Sequence, residues 1–384
     1  MRSNYKRLGD YIERCDEINE GMAVQDLLGI SNNKYFQKSH TNIIGIDLTK
    51  YRIVRSNQFA FNRATTRNGD KISIALRKGG DCIVSPSYRI FKSKDEYILN
   101  SEYLMMWFNR PEFDRYARFK SHGSAHEFFD WEEMCEVAVP IPSPKEQLEI
   151  VKEHNVIQNR IKLSKELIAK LEETAQAIYK RWFVDFEFPD ETGAPYKING
   201  GVMEESELGE IPKGWKASTL DKCVEVKYGK DYKHLKKGNI PLYGSGGVMS
   251  YVNLHLCANP SVLIPRKGSL NNILIINEPF WSVDTMFYTI PRLDNILYYV
   301  FYHLKTIDFS SLDVGSAVPS MTTNYLNSMP INIPEEKILK KYNNLINKLY
   351  SAIIHKTKEL DKLLQVKDLV LAKMTKVEIE KEFA

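Results

Sequence analysis

A repeat of half the chain length constrains the fold of this protein more than any other feature of its sequence. Gly123-Ser124-Ala125 precedes Pro140-Ile141-Pro142 and a long helical pattern, and Gly315-Ser316-Ala317 precedes Pro330-Ile331-Asn332 and a second one. Gly315 stands 192 positions after Gly123 in a chain of 384 residues. A unit of this size is too long for a solenoid repeat, so it indicates a duplicated module of a globular domain plus a helix.

Composition indicates a soluble, folded protein. Hydrophobic residues make up 43% of the chain and charged residues 27%, and the net charge of +4 neither requires nor excludes a nucleic-acid partner. The cysteines are scattered without a CxxC pair, so neither a disulfide framework nor a zinc site is expected. No uncharged run reaches the roughly 18–20 residues of a membrane span, and we expect a cytoplasmic protein.

The sequence predicts an α+β chain in five segments. They are a mixed domain over residues 1–143, a long helix over 144–187, a connector over 188–214, a second mixed domain over 215–333 and a second long helix over 334–380. Short β-like runs broken by Gly, Asn and Pro characterise both domains. The opening pair Tyr5-Lys6 of the first domain resembles Trp215-Lys216 of the second.

Both long helices carry an apolar stripe with steps of three and four residues, which is typical of a coiled-coil seam. The stripe of the first helix comprises Ile150, His154, Ile157, Ile161, Ser164, Ile168, Leu171, Ala175, Ile178 and Trp182. That of the second comprises Ile338, Tyr342, Leu345, Leu349, Ala352, Lys356, Leu360, Leu363, Lys367, Val370 and Met374. If the stripes bury each other, the second helix runs back antiparallel, and the domains lie at the two ends of a rod of about 60 Å with pseudo-two-fold symmetry.

Two related domains at a fixed separation suit double-stranded DNA, whose helix repeats every ~34 Å. Because the domains differ in sequence, we expect two different half-sites separated by an unread spacer. Cations, asparagine and serine on loops supply the candidate contacts to phosphates and base edges. In the first domain these are Arg63, Arg67, Arg77 and Lys78, and in the second Lys227, Lys230, Lys233, Lys236, Lys237, Arg266, Lys267, Ser269, Asn271 and Asn272.

These assignments leave simpler interpretations open. Any single basic residue here is equally compatible with a solvated surface, whereas clusters on corresponding turns of a duplicated domain favour DNA contacts. The two Gly-Ser-Ala segments could face DNA, but tight turns of the fold are the favoured interpretation. No GxxxxGK[ST] or HExxH motif and no histidine–cysteine cluster occurs, so no catalytic, cofactor-binding or metal-binding residue is predicted. A coiled-coil scaffold without DNA specificity and a self-sufficient DNA-modifying enzyme remain the alternative functions.

The segment Ala177-Ile178-Tyr179-Lys180-Arg181-Trp182-Phe183-Val184-Asp185-Phe186, followed by Leu208-Gly209-Glu210-Ile211-Pro212-Lys213-Gly214-Trp215, closely resembles DNA-specificity (S) subunits of type I restriction–modification systems. Tyr243-Gly244-Ser245-Gly246-Gly247 and the residues from Ile264 to Asn272 also resemble a target-recognition domain of that family. The resemblance covers essentially the whole chain.

The resemblance implies two target-recognition domains separated by two antiparallel helices, in a subunit that is itself non-catalytic. It implies that two methyltransferase (M) subunits and restriction (R) subunits are partners. S-adenosylmethionine, ATP and Mg are then expected on those partner chains, and the helix length is expected to set the spacer. Candidate partner-binding residues are Tyr179, Arg181, Trp182, Phe183 and Phe186, although the same aromatics suit a hydrophobic plug that seats the helix end.

Overall fold

The computed structural model describes residues 5–39, 45–64, 71–122, 127–309 and 321–376. The chain forms two compact units. Unit 1 comprises residues 1–164 and 359–384, and unit 2 comprises residues 165–358. Each long helix therefore contributes to both units, whereas the sequence predicted segments of their own for the helices. The predicted segment boundaries stay predictions.

Among its described residues, unit 1 combines short strands with three short α-helices and the start of a long one. Its strands are β1 (Tyr5–Arg7), β2 (Ile12–Cys15), β3 (Leu28–Ile30), β4 (Phe36–Lys38), β5 (Arg52–Val54), β6 (Phe59–Asn62), β7 (Ile74–Leu76), β8 (Cys82–Val84), β9 (Tyr88–Ser93) and β10 (Ala138–Pro140). Its helices are α1 (Ser101–Phe108), α2 (Pro111–Lys120), α3 (Trp131–Cys135) and the first part of α4 (Pro144–Tyr179).

The core of unit 1 forms on an antiparallel sheet with the strand order β2-β9-β6-β7. Phe59 of β6 stacks on Phe91 of β9 with ring centroids 4.8 Å apart, and Phe108 of α1 meets both rings edge-on. Large rings at paired positions on one face bury much apolar area and stabilise the strand pairing. The opening strand β1 pairs with β10, directly before α4.

Unit 2 begins inside α4 and repeats this mixture of elements. Its strands are β11 (Met203–Ser206), β12 (Gly209–Pro212), β13 (Lys216–Thr219), β14 (Val224–Tyr228), β15 (Lys237–Gly244), β16 (Gly247–Val252), β17 (Ser261–Pro265), β18 (Leu274–Ile276), β19 (Trp281–Ser282), β20 (Met286–Pro291) and β21 (Pro330–Ile333). Its helices are α5 (Leu220–Cys223), α6 (Leu297–Lys305), α7 (Thr323–Asn327) and the first part of α8 (Glu336–Lys376). The mixed α and β content predicted from the sequence is confirmed.

The main sheet of unit 2 has the order β14-β20-β17-β18, with every pair antiparallel. This is the order of the unit 1 sheet, with β14, β20, β17 and β18 in the places of β2, β9, β6 and β7. In addition, β13 pairs with β21 directly before α8, as β1 pairs with β10 before α4. Unit 2 also has a second sheet with the order β16-β15-β19.

The start of α4 is fixed by local chemistry. Pro144 occupies its first position, where no backbone N–H is needed. Glu146 accepts a hydrogen bond from the Ser143 backbone N–H at 2.9 Å, and the Ser143 hydroxyl accepts one from the Glu146 N–H at 3.4 Å, which forms a capping box. The fully buried Gln147 amide donates to the carbonyl oxygens of Ile98 and Pro142, so the helix leaves unit 1 in a defined direction.

Each unit buries one part of both long helices. In unit 1, Val151 of α4 shares the core with Val370 and Leu371 of α8, and Arg160 pairs with Glu359 at 3.0 Å. In unit 2, the core includes Ala175 and Tyr179 of α4 together with Ile338, Tyr342 and Ile346 of α8.

The predicted stripe of α4 is buried or half-buried at every position. Among the described side chains of α8, the predicted stripe is wrong at two positions, and the side chain of Met374 lies outside that description. Leu345 is 37% exposed and its neighbour Ile346 is fully buried. Ala352 is likewise exposed, and Ile353 is buried instead. Both differences shift the stripe by one residue, and at Ile346 the reason is that the core of unit 2 lies on that side of the helix.

An aromatic cluster closes the end of α4 in unit 2. The helix finishes in a wider π-helical turn, Lys180–Val184, which places both Trp182 and Phe183 on the core side. The Phe183 ring lies 4.6 Å from the Tyr299 ring and 4.7 Å from the Tyr342 ring, centroid to centroid. Trp215, at the start of the second mixed domain, contacts Phe183 at 5.9 Å.

We predict that Phe183→Ala destabilises the protein by about 3–5 kcal/mol, because the ring fills a space between Tyr299 and Tyr342 that neighbouring groups cannot close. Denaturant unfolding followed by fluorescence measures the change. Val184→Ala is the matched control, since Val184 is 51% exposed and its truncation leaves no buried cavity. Equal effects of the two substitutions would contradict the assignment of Phe183 to the core.

Candidate nucleic-acid interface

The loop after β17 carries the most rigidly held cation among the predicted contacts of unit 2. The Arg266 N–H donates to the Thr285 carbonyl at 2.8 Å, and the Arg266 carbonyl accepts from the Met321 N–H at 2.9 Å. The guanidinium carbon lies 5.4 Å from the centre of the Tyr228 ring, within the range of a cation–π contact. Backbone and side chain are therefore both positioned before any ligand binds.

The two asparagines predicted as DNA contacts hold this loop in place. The Asn272 amide donates to the Ser245 carbonyl at 2.7 Å and so joins the loop to the turn between β15 and β16. The Asn271 amide donates to Asp308 at 2.7 Å, and its oxygen accepts from the Phe309 N–H at 2.8 Å. Their hydrogen-bonding groups are thus engaged within unit 2, and their role at DNA stays a prediction.

Lys267 and Ser269 project from the same loop and are exposed. Gly268 between them has φ +83°, a conformation that other residues rarely adopt, and this turns the chain sharply at that point. The loop therefore presents Arg266, Lys267 and Ser269 outward, on a base fixed by the two asparagine amides.

The lysine-rich segment of unit 2 lies on the surface. Lys227, in β14, is 3.6 Å from Glu225 and is partly neutralised. Lys230, Lys233, Lys236 and Lys237 are exposed and pair with no acidic group among the described residues. Unpaired ammonium groups on a surface are available to neutralise phosphates.

In unit 1, by contrast, the described cations among the predicted DNA contacts form ion pairs with acidic side chains. Arg63 pairs with Asp130 at 3.0 Å, Arg77 with Asp26 at 3.5 Å, and Lys78 with Glu102 at 2.9 Å. A phosphate or base would have to compete with these carboxylates. Arg67 and both Gly-Ser-Ala segments lie outside the described residues.

Asp130 is the centre of the charge network in unit 1. It accepts from Arg89 at 2.7 Å as well as from Arg63, and it caps α3 through the Trp131 N–H at 2.9 Å. Burial alone would raise the pKa of Asp130, but the hydrogen bonds from the two arginines outweigh it and lower the pKa. Asp130 is therefore ionised at neutral pH and holds Arg63 in place.

The aromatic segment predicted to bind a partner is mostly internal. Tyr179, Trp182 and Phe183 are buried in the core of unit 2, which corrects their assignment as direct partner contacts and matches the alternative of a hydrophobic plug. The Tyr179 hydroxyl lies 3.3 Å from Nδ1 of His303, whose pKa burial lowers to about 4. Arg181 is exposed and Phe186 is half-buried against Trp215, so a partner-binding role for these two stays a prediction.

Two residues that organise the site were absent from the predicted contacts. Tyr228 was visible in the lysine-rich segment only as an aromatic spacer, and its contact with Arg266 depends on the pairing of distant strands. Asp130 had a local signal, because Asp130-Trp131-Glu132-Glu133 fits the capping-box pattern that begins α3. Its pairing with Arg63 and Arg89 had no signal in the sequence.

Among the described residues, no group of three or more His, Cys, Asp or Glu side chains is arranged to hold a metal ion. None of the described helices combines the length and the apolar character that crossing a membrane requires.

Comparison with known proteins gives consistent matches. A profile of the type I restriction modification DNA specificity domain matches residues 212–365. The type I restriction enzyme MjaIX specificity subunit of Methanocaldococcus jannaschii is 26% identical over 311 residues, which are 73% of this chain and 70% of that protein. The HindI specificity subunit of Haemophilus influenzae is 20% identical over 184 residues, 47% of this chain and 39% of that protein.

A solved structure shares the fold. The crystal structure of the type I restriction–modification S subunit from M. genitalium matches with a TM-score of 0.65 at 16% identity, over 96% of this chain and 95% of that one. The matched specificity domain covers β13 to β21 and most of α8, which includes the Arg266 loop and the exposed lysines. Residues 212–365 of this chain thus match the type I specificity domain, and 73% of the chain is similar in sequence to a DNA-specificity (S) subunit of a type I restriction–modification system.

Proposed function

We propose that this chain is the sequence-reading, non-catalytic subunit of a type I restriction–modification complex. The observation that carries the proposal is the four-stranded sheet that recurs in the same strand order in both units of a chain with these sequence similarities. The surfaces around the two sheets differ, with paired arginines in unit 1 and, among the described residues, unpaired lysines in unit 2. Each unit therefore reads a half-site of its own, and the target is bipartite and asymmetric.

The two long helices separate the readers in this proposal. Unit 1 contains the start of α4 with the end of α8, and unit 2 contains the end of α4 with the start of α8. An antiparallel coiled coil between two target-recognition domains, with an approximate two-fold axis, accounts for both pairings. The coiled coil spans the bases that are not read and sets their number.

The remaining parts of the reaction belong to partner subunits. We propose that two methyltransferase subunits and the restriction subunits assemble on this chain in the cytoplasm and carry S-adenosylmethionine, ATP and Mg. Arg181 and Val184, both exposed beside the aromatic cluster, offer contacts to such a partner. Tyr179, Trp182 and Phe183 support that surface from inside unit 2.

The decisive experiment is co-expression of the chain with its neighbouring methyltransferase gene in a host that lacks this modification, followed by mapping of methylated adenines. A gapped motif of two different half-sites is the expected result. Methylation without a gapped motif would contradict the bipartite target, and methylation by the chain alone would favour a self-sufficient enzyme. A complex that forms but neither methylates nor binds DNA would favour the scaffold.

We predict that Lys233→Ala, Lys236→Ala and Lys237→Ala together weaken DNA binding and reduce its salt dependence. These ammonium groups are exposed and unpaired among the described residues, and removing one phosphate contact lowers the slope of log affinity against log salt by about 0.9. Titrations of the methyltransferase complex with target duplex at several salt concentrations measure both effects.

Lys197→Ala, Lys213→Ala and Lys216→Ala provide the matched control for the lysine variant. These lysines are also exposed and also lie in unit 2, and their removal changes the net charge by the same amount. An identical decrease of the slope in both triple variants would show that net charge, rather than the predicted surface, determines binding.

We predict that seven residues inserted after Ser164 in α4 and seven inserted after Lys358 in α8 lengthen the spacer by about three base pairs. Seven helical residues add about 10.5 Å, and a base pair of DNA rises ~3.4 Å. Mapping of methylated adenines in cells that express the variant measures the spacer. New half-site sequences with an unchanged spacer would contradict the assignment of the helices as its ruler.

A further inference from the structure

The structure places an arginine at the same point of each unit. Arg63 directly follows β6, and Arg266 directly follows β17, the corresponding strand of the other sheet. The Arg63 carbonyl accepts from the Phe129 N–H at 2.8 Å, and the Arg266 carbonyl accepts from the Met321 N–H at 2.9 Å. Phe129 and Met321 are separated by 192 positions, the period of the sequence repeat.

The residue that follows the N–H donor of this hydrogen bond in the sequence differs between the units. Asp130 follows Phe129, caps α3 and holds the Arg63 guanidinium at 3.0 Å. Thr322 follows Met321 and caps α7 by accepting from the Tyr325 N–H at 3.2 Å. The cap is thus retained in unit 2, but the carboxylate that occupies the arginine in unit 1 is replaced by a neutral hydroxyl.

Arg266 has no acidic partner among the described residues. Every described arginine of unit 1 forms an ion pair, whereas Arg266 forms none with a described residue. Its guanidinium lies over the Tyr228 ring, as that of Arg63 lies over the Phe128 ring, and the Tyr228 hydroxyl is 3.4 Å from the Thr323 hydroxyl. A ring contact orients a guanidinium through its flat face and leaves the N–H groups at its edge available.

A rigidly positioned guanidinium whose N–H groups have no described acidic partner is better suited to guanine than to the phosphates of duplex DNA. Guanine presents two acceptors, O6 and N7, side by side in the major groove, and arginine binds both at once. A phosphate would accept the same N–H groups, but it requires no fixed orientation and is equally well served by the flexible lysines nearby.

We infer that Arg266 reads a guanine in the half-site bound by unit 2. Tyr228 is the positioning residue that orients its guanidinium. Because the helix cap Thr322 is neutral, it does not neutralise Arg266 as Asp130 neutralises Arg63. The inference rests on the proposed function and deepens it by naming a base and the residue that selects it. In unit 1 the equivalent Arg63 is occupied by Asp130, so the two half-sites are read by different chemistry at this position.

The test compares three variants of the full chain, each co-expressed with the methyltransferase subunit, by mapping methylated adenines. Arg266→Lys keeps the positive charge but loses two-point binding of guanine. Thr322→Asp introduces the carboxylate of unit 1 at the equivalent cap, and aspartate is itself a good cap residue. Thr322→Asn is the matched control, because it has nearly the same shape and capping ability without the charge.

The expected result is a loss of selectivity at one guanine of one half-site in Arg266→Lys and in Thr322→Asp. In both variants, the preference for methylating sites with this guanine over sites with another base at that position falls by roughly five- to 150-fold. This factor corresponds to the loss of one bidentate contact to a base. Thr322→Asn keeps the wild-type motif, and the second half-site is unchanged throughout. Tyr228→Leu, which keeps Arg266 but removes the ring beneath it, gives a smaller loss at the same guanine.

Two outcomes would overturn the inference, and they separate it from the proposed function. If the wild-type complex methylates a gapped motif and Arg266→Lys and Thr322→Asp keep that motif while methylating less at every site, Arg266 contacts phosphate and the guanine assignment is wrong. If the wild-type complex yields no gapped motif, the proposed function itself fails. Loss of the folded complex in one variant is detected by its thermal unfolding midpoint, and the other variant then decides.

Discussion

Burial of the apolar stripes on the two long helices is the constraint on which the rest of the structure depends. Helices of 36 and 41 residues with such stripes owe most of their stability to the packing of the apolar face, since intrinsic propensity contributes little in comparison. Unit 1 covers α4 near Val151 and α8 near Val370, and unit 2 covers α4 near Tyr179 and α8 near Tyr342. The fold of each unit is thus completed by helix residues that are distant in the sequence.

Local pairing, rather than net charge, distinguishes the two surfaces. A chain with a formal charge of only +4 still concentrates cations without described ion pairs on unit 2, because acidic groups neutralise the arginines of unit 1. Asp130 engages two arginines while it caps a helix, and Thr322 performs only the capping function. The two equivalent arginines therefore differ in whether the residue that caps the neighbouring helix also neutralises them.

Where sequence reasoning succeeded, the signal was local or periodic. The stripe of α4 followed from its period, and the Ser143–Glu146 capping box that begins this helix is likewise a local feature. The stripe of α8 was misplaced at Leu345 and Ala352, because each is adjacent to an isoleucine and a helical period tolerates either choice. The sequence predicts Asn271 and Asn272 as DNA contacts, and it carries no signal for their hydrogen bonds to Asp308 and Ser245, because these partners are remote in the sequence.

The sequence by itself determined the duplication, the two long helices, the mixed α and β character and the family resemblance. Each of these features follows from the order of the residues, from the period of the apolar positions or from a contiguous motif. Only the tertiary structure decided which of the described cations are paired, since ion pairs such as Arg63 with Asp130 join residues on separate elements. It also decided that Tyr179, Trp182 and Phe183 face inward, because the turn that ends α4 and the rings of Tyr299 and Tyr342 together set their orientation.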